Sequence, residues 1–116
     1  MTKYLISFAE GAMDFPDEDG PDVAKAARVV RQEAADAGVF VFSGGLDYDL
    51  ESVMVGTDGV VANGPYPESK ELIGGLMIVD VPSQKVAAEW AAKVAVACRC
   101  AQEVRVFRTA PPAGRK

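Results

Sequence analysis

The residues best suited to chemistry lie together in the stretch NGPYPESKE, which begins at Asn63. Lys70 stands directly before Glu71 and two residues after Glu68. Such a lysine can anchor a small anion while a carboxylate orients it, and a desolvated lysine can act as a base because burial lowers its pKa. The same charges can equally form a solvated surface cluster, in which ion pairs are worth less than about 1 kcal/mol.

Glycines, an amide and a phenol accompany these charges. Asn63 either tolerates left-handed backbone angles or caps the turn that follows it. Gly44 and Gly45 let the backbone approach a bound molecule closely. Tyr66 can bind a small acid through its hydroxyl, or simply pack as an aromatic residue. The candidate ligand-binding residues are therefore Gly44, Gly45, Asn63, Tyr66, Glu68, Lys70 and Glu71.

Other kinds of site find less support in the sequence. Cys98 and Cys100 lie too close together for an ordinary disulfide, and without histidine they cannot complete a zinc site, so we interpret them as buried free thiols. Asp47 and Asp49 resemble paired oxygen ligands, but a calcium loop needs a longer run of donors. We expect no metal and no cofactor, and we assign no catalytic residue.

Length and charge set the class of protein. The 116 residues fit one domain, which we place at residues 1–109 with a disordered tail at residues 110–116. The formal charge of -5 opposes binding to a phosphate backbone, so nucleic acid is not an expected partner. Neither a secretory signal nor an apolar run of about 18 residues is present, which predicts a cytoplasmic protein without a membrane partner.

The elements that must position these residues follow from periodicity. KYLISFA predicts a first strand at Lys3–Ala9, and an acidic, mobile loop follows it. Apolar residues at helical spacing predict a helix over Pro21–Ala37, which Gly38 stops, and place Arg31 on the solvated face. The unbroken apolar run after it is typical of a central strand covered on both faces.

The second half repeats this order after a hairpin. Asp58-Gly59 predicts a tight hairpin turn, and Leu72–Val81 a long strand whose paired glycines indicate a bulge or a close backbone approach. Ser83 is a suitable N-cap for a second helix, and AQEVRVFR is typical of a last strand.

This order predicts an α+β fold, a ferredoxin-like sandwich of two strand–helix–strand halves joined by a hairpin. Right-handed crossovers place both helices on one face of an antiparallel sheet. The other sheet face is then uncovered and apolar, as interfaces usually are, so we expect a homodimer formed through the sheet faces.

The segment DGVVANGPYPESKELIGGLMIVDV resembles the signature of the YCII-related family in its DGPF-domain branch. Members of that branch read Asp-Gly-Pro-Phe, then an acid-x-Lys-Glu step, then Gly-Gly before a strand. Asn63 and Tyr66 stand where the family usually has Asp and Phe. The similarity extends to AGVFVFSGGL before the hairpin and to AAEWAAK after it.

The resemblance implies a dimeric α/β-barrel-like assembly of ferredoxin-like subunits with a cleft in each. It implies no single activity. Some YCII-like relatives carry a His-Asp pair for acid–base work, and a few are linked to dehalogenation or related lyase chemistry. This chain has no histidine, which excludes that version of the mechanism.

Two functions remain compatible with the sequence. The first is a module that binds a small carboxylate or phenol in a regulatory or accessory role, which suits a family often encoded beside sigma factors of the extracytoplasmic-function class. The second is a cofactor-independent, lyase- or isomerase-like enzyme that uses Lys70 with Glu71 or Glu68. A buried Lys70 in an enclosed pocket would favour the enzyme, and an exposed one the binding module.

Overall fold

The computed structural model describes residues 1–47, 49–64 and 72–109. Within them the elements are β1 (Thr2–Ala9), a 3-10 turn (Asp17–Asp19), α1 (Gly20–Asp36), β2 (Phe40–Gly45), β3 (Ser52–Val55), β4 (Val61–Gly64), β5 (Ile73–Val81), α2 (Gln84–Cys98) and β6 (Glu103–Val106). The predicted tail at residues 110–116 lies outside the described residues.

Four strands form one sheet in the order β2-β5-β1-β6, and each neighbouring pair is antiparallel. Strands β3 and β4 form a separate two-stranded sheet. Both helices pack against the four-stranded sheet and against each other. The α+β class is confirmed, and this strand order is compatible with the predicted ferredoxin-like sandwich with an inserted hairpin.

The helices form as their sequences predict. Val23, Val30 and Ala34 are the buried residues of α1, and Pro21 lies in its first turn, where a missing N–H costs nothing. In α2 the hydroxyl of Ser83 accepts a hydrogen bond of 3.2 Å from the backbone N–H of Val86. The core lies between these helices and the sheet. Its fully buried residues include Ile6, Val79, Val81, Ala34 and Ala87.

Strand β2 differs from its prediction because it lies at an edge of the sheet, with only β5 as a neighbour. The register of β2 against β5 shifts between Phe40 and Phe42. These two aromatic side chains therefore lie in different surroundings, although residues two apart in a regular strand share a face. Phe40 packs against the core, whereas Phe42 is 58% exposed.

The loops also differ in detail from their predictions. The hairpin turn spans five residues, 56–60, closed by a 2.9 Å hydrogen bond from the N–H of Gly56 to the carbonyl of Val60. Gly59 has the predicted positive φ of 80°, whereas Asp58 does not. The side chain of Asp58 caps the turn by accepting a hydrogen bond from the backbone N–H of Val60. The acidic loop after β1 contains the 3-10 turn at Asp17–Asp19.

On the face of the sheet opposite the helices, one row of paired residues runs across all four strands. Phe42, Ile78, Leu5 and Arg105 pair in sequence from β2 to β6. We call this surface the open sheet face, because among the described elements neither helix packs there.

Candidate functional site

A cavity of about 170 Å³ lies between the helices and the sheet, and we call it the interlayer cavity. Its walls come from both layers and from the loop after β1. The residues are Phe8, Met13, Ala27, Val30, Arg31, Ser43, Gly44, Gly45, Leu76, Met77, Val94, Ala97, Cys98 and Gln102. An aliphatic cavity of about 150 Å³ is known to stay dry and to hold a benzene ring, so this space suits a single small apolar body.

Glycine at position 75 helps to shape this cavity. A Cβ atom there would lie 2.5 Å from Cζ of Phe8 and 3.3 Å from the carbonyl oxygen of Gly44. The missing side chain therefore leaves room for the Phe8 ring to lie against the sheet, where the ring forms part of the cavity wall. Both alternatives predicted for the paired glycines are confirmed, because the backbone approach is close and the β1–β5 register also shifts at Gly74, between the pairs Phe8–Gly75 and Ala9–Ile73.

Among the described residues of the cavity wall, Arg31 is the one that carries a charge. It lies on α1, one residue after the buried Val30 and four after Ala27, and it is exposed to solvent. Within the part of the chain that the structure describes, Arg31 forms no salt bridge. A guanidinium that touches both the cavity and solvent can hold an anion at the cavity's entrance.

The thiol of Cys98 lies beside this cation. Burial raises the pKa of the Cys98 thiol above its ordinary value of 9.0, the neighbouring Cys100 raises it further, and the positive charge of Arg31 opposes both effects. Burial likewise raises the pKa of Cys100. Both cysteines are free, as predicted, and Cys98 is buried, whereas Cys100 is only partly buried and differs from the prediction in that respect. The raised pKa values keep both thiols protonated near neutral pH.

Gln102 contributes a polar group with one unsatisfied end. Its amide nitrogen donates to the carbonyl oxygen of Cys100 at 3.3 Å. This bond assigns the orientation of the Gln102 amide, because the flipped amide would place its oxygen against the carbonyl oxygen of Cys100, and two acceptors cannot form a hydrogen bond. The amide oxygen then lies inaccessible to solvent without a hydrogen-bond partner in the described residues.

The structure brings together only some of the predicted site residues. Gly44 and Gly45 both line the interlayer cavity. Asn63 lies apart from it, on β4 opposite Val53, and is exposed. Tyr66, Glu68, Lys70 and Glu71 lie outside the described residues.

We call the chain between Gly64 and Leu72 the signature loop, and these two described residues at its ends line a second space of about 540 Å³. This space, the loop cleft, is larger than the interlayer cavity. Glu10, Asp47 and Glu51 add three carboxylates to its walls, and its described residues include no cation. Without a cation supplied from elsewhere, this cleft repels an anion.

The family model of the YCII-related domain matches residues 8–109. The chain belongs to the YCII-related family. None of the curated proteins compared with the chain matches it. In this family member the matched region includes both helices, the sheet except most of β1, and all the described residues that line the interlayer cavity.

The described part of this YCII-related chain has neither a membrane-spanning helix nor a cluster of metal-binding side chains. No helix there is long and apolar enough to cross a bilayer. No group of three or more His, Cys, Asp or Glu residues within the same ranges could hold a metal ion.

Sequence analysis missed the two polar residues that matter most at the interlayer cavity. The prediction that Arg31 lies on the solvated face of α1 is confirmed, because Arg31 is exposed. Its place in the cavity wall was not predicted, although a position four residues after Ala27 lies at the border of the apolar stripe. Gln102 falls within the predicted last strand, but β6 begins at Glu103, so the connection between α2 and β6 brings Gln102 to the cavity.

Proposed function

We propose that this YCII-related protein is a cytoplasmic, homodimeric module that binds a small carboxylate or phenol in a regulatory or accessory role. The observation that supports ligand binding is the interlayer cavity, an apolar space of about 170 Å³ with one cation in its wall. Preformed apolar cavities with a few polar groups are the usual form of small-molecule sites. The size of this one favours a ligand with a single ring or a similarly compact body.

The two predicted glycines of the site, Gly44 and Gly45, fit this proposal because they line the cavity. Their lack of side chains leaves the backbone at the end of β2 open to a bound molecule.

Filling the cavity tests the proposal. Thermal unfolding is followed with benzoate, benzamide and phenol for the natural protein and for Ala27→Leu, because Ala27 lines the cavity on α1. Ligand binding to the folded state raises the melting temperature by mass action. We expect stabilisation of the natural protein and its loss in Ala27→Leu.

Ala24→Leu is the matched control, since Ala24 lies on the same helix and is exposed. The same three carbon atoms are added there, but they extend into solvent and not into the cavity. It should keep the full response. An equal response in Ala27→Leu and Ala24→Leu would place the ligand outside the interlayer cavity.

The same screen tests ligand binding at the other predicted site, the loop that carries Lys70, through Lys70→Ala. If the signature loop anchors the ligand, Lys70→Ala loses the stabilisation while Ala27→Leu retains it. The interlayer site predicts the reverse result.

A further inference from the structure

The polar groups of the interlayer cavity decide between the two ligand classes of the proposed function, on which this inference rests. Within the described ranges, Arg31 is the single charged residue of the wall, and no carboxylate in those ranges lines the cavity. The neutral polar groups are Ser43, the protonated thiol of Cys98 and Gln102. A ligand therefore meets a cation without a competing anion.

A phenol can pair with these groups only as a neutral molecule, either by accepting from Arg31 or by donating to a neutral acceptor. Among the neutral acceptors, the amide oxygen of Gln102 has no partner in the described residues but is inaccessible to solvent, so a hydroxyl reaches it only if the wall moves. The guanidinium of Arg31 needs no such movement, because Arg31 is exposed. A hydrogen bond between two charged groups is also about twice as strong as a neutral one.

The position of the charge supports the same choice. Arg31 and Cys98 both line the cavity, so Arg31 borders the apolar space as well as bulk solvent, and its positive charge accordingly opposes the rise in the pKa of the Cys98 thiol. The net charge of -5 disfavours anions at long range, but salt screens that repulsion beyond about 8 Å at physiological ionic strength.

We infer that the interlayer cavity takes a compact monocarboxylate, with an apolar body of about six carbons between the helices and the sheet and its carboxylate paired with the guanidinium of Arg31. The pair is reversible and involves no covalent step. A carboxylate on a longer or branched polar body does not fit, because the other walls are predominantly apolar.

The experiment compares three probes that share one ring and differ in the polar group: benzoate, benzamide and phenol. Their dissociation constants are measured by calorimetric or NMR titration of the full chain. We expect benzoate to bind about five- to tenfold more tightly than benzamide or phenol, a modest factor because the exposed guanidinium is partly screened. The advantage of benzoate should shrink as sodium chloride is raised, whereas the benzamide affinity should not change.

Arg31→Gln should remove this advantage and leave the benzamide affinity unchanged, and Arg31→Lys should retain part of it. Arg28→Gln is the matched control, because Arg28 is exposed on the same helix and does not line the cavity. It should preserve the natural order of affinities.

The outcomes separate this inference from the proposed function. If the three probes bind equally, if phenol binds most tightly, or if Arg31→Gln keeps the benzoate advantage, the carboxylate inference is wrong and ligand binding in the cavity still stands. If no probe binds, the proposed function itself is wrong.

Discussion

Gly74 and Gly75 lack side chains for different steric reasons. At Gly75 the nearest atom to an added Cβ is the tip of the Phe8 ring, a side chain that can rotate. At Gly74 an added Cβ would lie 3.0 Å from the carbonyl oxygen of Ala9 and 3.0 Å from Cα of Glu10, which are backbone atoms. Backbone paired in a sheet cannot move away at small cost, so Gly74 is the more constrained position.

Gly74→Ala should lower the free energy of unfolding by about 2 kcal/mol, because overpacking forces the paired backbone of β1 and β5 to shift. The measurement is chemical denaturation with both variants at equal protein concentration. Gly20→Ala is the control, since an added Cβ at Gly20 meets nothing within 4 Å and alanine favours a helix. A loss in Gly20→Ala as large as in Gly74→Ala would contradict this account.

At the scale of the element, the end of α2 is held by a residue in an unfavourable conformation. Arg99 has a φ of 58°, the left-handed region that glycine usually occupies at a helix end. Its side chain compensates, because Nη1 of Arg99 lies 2.7 Å from Oδ2 of Asp19 in the 3-10 turn. The guanidinium also lies 5.9 Å from the ring centroid of Phe15. Arg99 thus connects the acidic loop to α2.

Two substitutions of Arg99 separate the backbone effect from the contacts. Arg99→Ala loses the contacts and keeps the strain, whereas Arg99→Gly loses the contacts and removes the strain, which is worth about 1 kcal/mol. We expect Arg99→Gly to be more stable than Arg99→Ala by that amount in denaturant melts.

Asp19→Asn is the control for the ion pair. Both partners are more than a third exposed on their side chains (42% and 34%), so removal of the charge should cost no more than about 1 kcal/mol. A loss in Asp19→Asn larger than the difference between Arg99→Ala and Arg99→Gly would mean that the ion pair, and not the backbone strain, dominates this helix end.

At the scale of the whole molecule, apolar side chains remain exposed on the open sheet face and on the hairpin. Phe42 is 58% exposed in the aligned row with Leu5 and Ile78. On the hairpin, Val53 and Val61 are 57% and 60% exposed. A two-stranded hairpin has marginal stability alone in water, so a partner surface would stabilise it. These surfaces support the proposal of a homodimer formed through the sheet faces.

Phe42→Asp should convert a dimer into a monomer, because a carboxylate in an apolar interface loses its hydration without gaining a partner. Sedimentation equilibrium measures the mass. Val96→Asp is the control, since Val96 is 81% exposed on α2, in the layer on the other side of the sheet. A natural protein that sediments as a monomer would contradict the dimer, and a dimeric Phe42→Asp variant would move the interface away from the open sheet face.

Local patterns in the sequence determined the elements of this protein. The alternation in β1, the apolar stripe of α1 and the Ser83 cap of α2 each depend on neighbours a few residues away, so the sequence alone predicts them. The strand–helix order then predicted the α+β class, and the signature segment predicted the YCII-related family.

Tertiary structure decided which residues share a cavity and which strand lies at an edge. Phe8 meets Gly75 through strand pairing across 67 residues of chain, and Arg31 and Gln102 reach the cavity from α1 and from the connection between α2 and β6. No periodicity in one segment reports such contacts, because they depend on the order of strands and on how two helices pack over the sheet. The edge position of β2 and the charged wall of the interlayer cavity therefore came from the fold and not from the sequence pattern.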